Sequence, residues 1–160
     1  MQYWLVKSEG DCYSIDDLRR DRKTAWTGVR NYQARNFMMK GMSVNDLVLF
    51  YHSNSTSKDA PNGVYGIAKV VSQPHPDESQ FSKEKDGSMS HFDPKATREK
   101  PIWYCVDLAF VEKCKRPVTL DAIKLDPHLE GMELRARGSR LSVQPVSAKH
   151  FEYIHKRMVG

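Results

Sequence analysis

Cysteine is scarce. The 160-residue chain holds three, Cys12, Cys105 and Cys114, an odd number with no CxxC spacing, which argues against a disulfide framework and fits a reducing compartment. Long apolar runs are missing as well. None approaches the ~18 residues that a membrane helix needs, and Asp46-Leu-Val-Leu-Phe-Tyr51 is only of strand length. The opening residues, Met1-Gln-Tyr-Trp-Leu-Val-Lys-Ser8, lack the basic flank, apolar stretch and small-residue cleavage site of a secretory signal. The expectation is a cytoplasmic protein with no membrane partner. Nor does charge of one sign dominate: 25 basic against 20 acidic residues leave +5, spread as +2 over residues 1–60, 0 over 61–100 and +3 over 101–160. That balance permits a polyanionic partner without requiring one.

The familiar catalytic signatures are also absent. There is no Walker A loop, no GxGxxG and no GxSxG elbow. The six histidines, His52, His75, His91, His128, His150 and His155, form no HxH or HExxH, and His150 and His155 stand five apart, off the i, i+4 spacing of a helical metal pair. Carboxylates are scattered, and no nucleophile, base and orienting group fall into a readable set. The chain is therefore expected to carry no catalytic residues, no metal and no cofactor.

What is present reads as one folded domain over residues 1–160, with 39% hydrophobic and 10% aromatic residues. Tyr3-Trp-Leu-Val-Lys7 has the branched and aromatic crowding of a buried strand. Ser14-Ile-Asp-Asp17 is a capping box opening a short helix that ends near Arg20. A second helix is predicted over 31–40, closed by Gly41 as its C-cap, with Tyr32, Phe37 and Met38 turned to the core. Strands follow over 47–52, 64–71, 102–111 and 140–146, with a helical turn capped by Thr119 and an amphipathic C-terminal helix capped by Ser147. Residues 72–100, rich in proline and charge, form the longest irregular stretch, expected to be either mobile or a functional flap. The uneven interleaving of strands and helices argues against a doubly wound sheet and for a mixed sheet or small barrel of α/β (α+β) type.

Polar and aromatic residues gather at the predicted strand ends. Lys7, Ser8 and Glu9 follow the first strand; Trp26-Thr-Gly-Val-Arg-Asn31 precedes the second helix; His52, Ser53 and Asn54 close another strand, and Trp103 begins a further one. Strand ends form the mouth of a small barrel, where ligand pockets lie. An aromatic face beside serine and asparagine is the equipment for holding one unstacked base, at ~1–3 kcal/mol for the stacking. The bland accounts stand beside this one: Trp4 and Trp103 as core, Asn31 as a helix cap, Ser53 and Asn54 as turn residues. Arg135, Arg137 and Arg140 are equally readable as a solvated face or as a phosphate-contacting rim.

Six stretches in order, Trp4-Leu-Val-Lys-Ser-Glu9, Tyr13-Ser-Ile-Asp-Asp-Leu18, Trp26-Thr-Gly-Val-Arg-Asn-Tyr-Gln-Ala-Arg-Asn36, Phe50-Tyr-His-Ser-Asn54, Gly63-Val-Tyr-Gly-Ile-Ala68 and Ser139-Arg-Leu-Ser-Val-Gln-Pro-Val146, together resemble the EVE domain family. Gly10 departs from the proline expected after Lys-Ser-Glu, and the loop at 55–60 is somewhat long. The resemblance implies a PUA-like mixed β-barrel flanked by short helices and related to the YTH readers of methylated adenine. It implies a non-catalytic module that binds nucleic acid, DNA or RNA, carrying a modified cytosine or adenine. Its pocket would draw on Lys7, Ser8, Glu9, Trp26, Gly28, Val29, Arg30, Asn31, His52, Ser53, Asn54, Arg140, Leu141 and Ser142, with Trp103 at the same mouth. Trp26 would be the stacking wall, and Ser53, Asn54 and backbone near Val29 would read the base edge. Phosphate would meet Arg30, Arg35, Arg135, Arg137 or Arg140. A monomer fits such a domain. The alternatives are a PUA-like enzyme acting on RNA or DNA, through Lys7, Glu9 or His52, and a protein-interaction module built on 72–100.

Overall fold

A computed structural model describes residues 1–55, 57–83, 85–86 and 89–159. The expectation for 72–100 is followed here on its described part, since 84, 87 and 88 lie outside it. Strand β1 (Tyr3–Glu9) lies parallel to β3 (Leu47–Ser53), in register from Tyr3 opposite Leu47 to Glu9 opposite Ser53. Parallel neighbours need a crossover. Here it contains helix α1 (Ile15–Asp21), the short strand β2 (Lys23–Ala25) and helix α2 (Tyr32–Asn36).

Strand β4 (Gly63–Val70) returns antiparallel to β3. Two-residue strands β5 (His75–Pro76), β6 (Lys85–Asp86), β7 (Met89–Ser90) and β8 (Tyr104–Cys105) form small pairs beside the main sheet. The thirteen-residue β9 (Asp107–Thr119) then pairs with both β4 and β2. Helix α3 (Leu120–Leu125), strand β10 (Val143–Val146) and helix α4 (Ala148–Val159) complete the chain. The main sheet runs β10-β1-β3-β4-β9-β2.

The sheet curls into a half-barrel, and its register shifts at Phe50/Tyr51, Val64/Gly66 and Ile67/Ala68 mark the bulges that bend it. Gly66 permits the tightest approach: a Cβ there would stand 2.5 Å from the Glu112 carbonyl oxygen and 2.6 Å from Ile15. Both faces are covered. Trp4, Val6, Val48 and Phe50 pack under α1, α2, Trp26 and Val29, while Leu5, Leu49 and Tyr51 pack under α3 and α4. Strands buried on both faces read as continuous apolar runs, as Leu47–Tyr51 does.

Local signals were faithful where the partners are close in sequence. Ser14 accepts from the Asp17 amide and Asp17 returns the bond to the Ser14 amide, both about one helical turn apart. Thr119 caps α3 and Ser147 accepts from the His150 amide. Four expectations need correcting. Gly41 is no C-cap: α2 widens into a π turn, Phe37–Gly41, closed by the Met42 amide on the Phe37 carbonyl, and a Cβ on Gly41 would meet Trp4 at 2.7 Å. Tyr32 does not reach the core but stands 59% exposed. The strand expected over 102–111 is divided: the Gln80 side chain takes the Ile102 and Trp103 amides, Tyr104–Cys105 pairs with β5, and the long strand runs from Asp107 to Thr119. Finally, β10 starts at Val143, and 140–142 lie outside it, although the Ser142 carbonyl accepts from the Lys7 amide.

Candidate nucleic-acid pocket

A pocket of about 460 Å³ opens at the C-terminal end of β1, within the range of small-ligand sites. One wall is Lys7, Ser8 and Glu9 with the turn that follows; the opposite wall is the loop from Thr24 to Arg30; His91 and Ser142 close the sides. The parallel pairing of β1 with β3 fixes the first wall. The short β2, laddered to β9 through Thr24 opposite Leu108, fixes the start of the second.

Trp26 forms the aromatic surface. It is only 8% exposed, its amide donates to the Val106 carbonyl at 2.9 Å, and its ring meets Phe50 and Tyr13 edge-on at 5.4 and 6.3 Å. Packing on two sides holds the ring in one orientation, which removes much of the ordering cost of a stacking contact. Gly28, at φ +88°, lets the loop turn there, and a Cβ would press on the His91 ring at 3.0 Å.

Lys7 contributes a charge. Burial lowers its pKa from the usual lysine value, with the Glu133 carboxylate acting in the opposite direction, and among the described residues its ammonium has no hydrogen bond or ion pair. Glu9 is partly occupied: Asn54 donates to its Oε1 at 3.1 Å and the Cys12 thiol to its Oε2 at 3.6 Å. Burial and that carboxylate push the Cys12 thiol up. The Ser8 hydroxyl donates to the Tyr13 carbonyl and so braces the turn. His91 Nδ1 is buried without a partner among the described residues.

Of the described residues of 72–100, His91 lines this pocket and Asp77, Ser79 and Gln80 are bonded to the residues around it. Asp77, 1% exposed, accepts from the Gly28 amide at 2.8 Å and from Arg30 Nη1 at 3.1 Å, as well as from Ser79. Arg30 also donates to the His91 carbonyl through Nε and Nη2, and to Ser79. Gln80 donates to the Asp77 and Trp103 carbonyls while accepting two amides, so a fully buried amide stitches this segment to 102–103. These buried polar groups are all paired, which is the condition for their being stable at all.

The structure brings Lys7, Ser8, Glu9, Trp26, Gly28, Val29, Arg30 and Ser142 around one space and places the remaining candidates elsewhere. Asn31 caps α2, accepting from the Ala34 amide at 2.9 Å. Trp103 is buried beyond Arg30, donating to Asp93 at 2.8 Å. Leu141 packs against the core and Arg140 is exposed two residues before Ser142. Of the other arginines, Arg35 donates to the Ile102 carbonyl and Asn36, Arg135 donates to the Asp126 carbonyl, and Arg137 is exposed.

His52 and Ser53 line a second concavity, about 380 Å³, on the far side of the turn after β1. His52 Nε2 accepts from the Ile15 amide at 3.1 Å, and the ring stacks on Tyr65 at 3.9 Å. Burial lowers its pKa to about 4, so it stays neutral and serves as an acceptor at the start of α1. At Gly10 a Cβ would stand 2.9 Å from His52 Nδ1.

Sequence reasoning missed His91, Thr24, Ala25, Cys12 and Tyr13 on the walls, and Asp77 and Gln80 behind them. Asp77 had a local signal, an aspartate two residues before a serine, the pattern of an Asx turn. Its long-range partners had none. Among the described residues no group of three or more His, Cys, Asp or Glu side chains is arranged to hold a metal ion, and no helix is long and apolar enough to cross a membrane.

A curled mixed sheet flanked by short helices, with a pocket at the end of its parallel strand pair, defines a PUA-like domain. The EVE domain model matches residues 2–157. Mouse thymocyte nuclear protein 1 is 38% identical over 171 aligned residues, covering 95% of this chain and 71% of the relative. A hypothetical protein from Leishmania major is 44% identical, with a TM-score of 0.89 over 98% of this chain and 94% of that one. The human THYN1 protein, solved in complex with 5-methylcytosine-containing DNA, is 33% identical, with a TM-score of 0.86 over 99% of this chain and 98% of that one. The chain belongs to the EVE domain family.

Proposed function

We propose that this protein is a non-catalytic reader of a modified base, a modified cytosine in DNA first among the candidates. The base leaves its stack and enters the pocket between Lys7–Glu9 and Trp26–Arg30. The observation that carries this reading is the pocket itself: a fixed tryptophan beside a half-buried ammonium that makes no hydrogen bond or ion pair among the described residues. Burial already disfavours the charge of that ammonium, and a ligand with acceptor atoms on its edge would give it a partner. The DNA complex of the human relative supports the reading.

The chemistry fits cytosine. Its N3 and O2 are acceptors for Lys7, and its N4 amine is a donor for Glu9, a pairing between carboxylate and cytosine amine that also occurs in grooves. Trp26 would give the π-face contact. Arg30 is committed to Asp77 and the His91 carbonyl, so it would shape the wall, leaving the exposed Arg137 and Arg140 to meet phosphate.

The test is a binding titration with matched oligonucleotides, unmodified or carrying one 5-methylcytosine, 5-hydroxymethylcytosine or N6-methyladenine, as DNA and as RNA. A preference for one modified form that weakens in Trp26→Phe and Lys7→Met supports the reading. Equal affinity for every oligonucleotide overturns it. Chemical change of the bound polymer during incubation, with or without divalent metal, would replace it with the enzyme alternative.

A further inference from the structure

Tyr32 is the one exposed aromatic side chain among the described residues, although its place in the sequence predicts a core position. Its ring is not loose. It stacks on the buried Trp103 with centroids 4.9 Å apart and planes 21° from parallel, and Trp103 is itself fixed by its bond to Asp93.

Two guanidinium groups flank this pair. Arg30, which lines the pocket, lies 5.1 Å from the Trp103 centroid. Arg35 lies 4.8 Å from Tyr32 and 5.8 Å from Trp103. Those two similar distances put Arg35 beside the stack; on the outer face of Tyr32 it would be nearly twice as far from Trp103. Arg35 is held there by the Ile102 carbonyl and Asn36. The outer face of Tyr32 therefore stays open, with positive charge beside it. Contacts link the pocket wall to Tyr32: Arg30 lies against the buried Trp103, and Trp103 against Tyr32.

We infer that Tyr32 is a stacking platform for the unpaired nucleobase next to the one held in the pocket, an inference that rests on the proposed function above. Taking one base out of its stack leaves a neighbour with an uncovered face. An aromatic ring held rigid before binding accepts such a face with little loss of side-chain freedom, and stacking of this kind tolerates any base because every base has a π-face. The adjoining guanidinium groups favour the electron-rich base and the phosphate that follows it.

The test uses three probes: single-stranded DNA with one 5-methylcytosine, the same strand unmodified, and the free nucleoside 5-methyl-2′-deoxycytidine. Tyr32→Ala, at an exposed position, is expected to lower affinity for both strands roughly five- to tenfold while leaving the nucleoside unchanged. Tyr32→Trp is expected to retain or exceed wild-type affinity for the strands. Unchanged affinity of Tyr32→Ala for both strands overturns the platform, as does an equal loss for strands and nucleoside, which would make Tyr32 part of the pocket. If the wild type ignores the methyl group but Tyr32→Ala still weakens strand binding, the platform stands and the pocket reading falls.

Discussion

Two concavities of similar size flank the turn after β1, about 460 and 380 Å³, and they differ in what their polar groups are doing. On the far side, His52 accepts from Ile15, Lys113 is paired with Asp16 at 2.8 Å, Ser14 caps α1 and Ser55 bonds within its own loop. Those groups are spent on the fold, and the other charged residues lining it, Asp11 and Lys115, are exposed. On the near side, the Lys7 ammonium and His91 Nδ1 have no partner among the described residues, and the rigid Trp26 ring stands beside them. Volume does not distinguish the two. The binding role proposed for the near side rests instead on the half-buried Lys7 ammonium, for which an acceptor on a ligand would supply a partner.

The largest expected effect comes from breaking the near wall. Asp77→Ala leaves the Arg30 guanidinium, 23% exposed, without its carboxylate, and loss of one partner of a buried pair costs about 3–5 kcal/mol. Urea unfolding should show that loss, together with weaker binding of modified DNA. An Asp77→Ala protein of wild-type stability would mean that the wall does not depend on this pair.

The next effect lies on the far side and concerns pH. The folded pKa of His52, about 4, is below its ordinary 6.5, so the unfolded chain takes up that proton first as pH falls. Stability contributed by the neutral ring is complete above pH 6.5 and is lost between pH 6.5 and 4, in all about 3 kcal/mol. Denaturant midpoints measured from pH 7.5 to 4.5 should fall more steeply in the wild type than in His52→Gln, whose amide oxygen can still accept from Ile15. His52→Gln should also bind modified DNA normally at pH 7.5; a large loss there would erase the contrast between the two concavities.

Lys7→Met sharpens the same contrast from the near side. Affinity for the modified oligonucleotide should drop by about 1.5–3 kcal/mol, the worth of a charge-assisted hydrogen bond. Folding stability should hold or rise, because burial of the ammonium outweighs the attraction of the Glu133 carboxylate. Calorimetry and urea unfolding on one preparation read both. The smallest effect belongs to the exposed Arg140: Arg140→Ala should weaken modified and unmodified DNA alike and reduce the salt slope of binding by about 1.

The legible parts of the chain were those whose causes sit close together. The Ser14–Asp17 capping box, the Thr119 cap and the apolar face of α4 are set by residues three or four apart, and they appear as read. The strand-end clusters Lys7–Glu9 and Trp26–Arg30 were also visible, and half of the pocket is made of them. The division of 102–111 was not, because it depends on Gln80 capturing amides more than twenty residues away and on Tyr104–Cys105 pairing with His75–Pro76. Tyr32 was misplaced for a related reason: helical spacing names a face, but only the position of Trp103 decides that this ring stacks outside the core.

By itself the sequence determined strands β1, β3 and β4, the Ser14 and Thr119 caps and the kind of groups at the strand ends, because propensity, capping and side-chain chemistry act over a few residues. The tertiary structure decided which of those ends share a pocket. It divided Lys7, Ser8 and Glu9 from His52 and Ser53 across one turn, drew His91 in from a stretch without a pattern, and turned Arg30 inward to Asp77. Pairings of that range follow from sheet register and from the need to satisfy every buried polar group, and neither is written in any local run of residues.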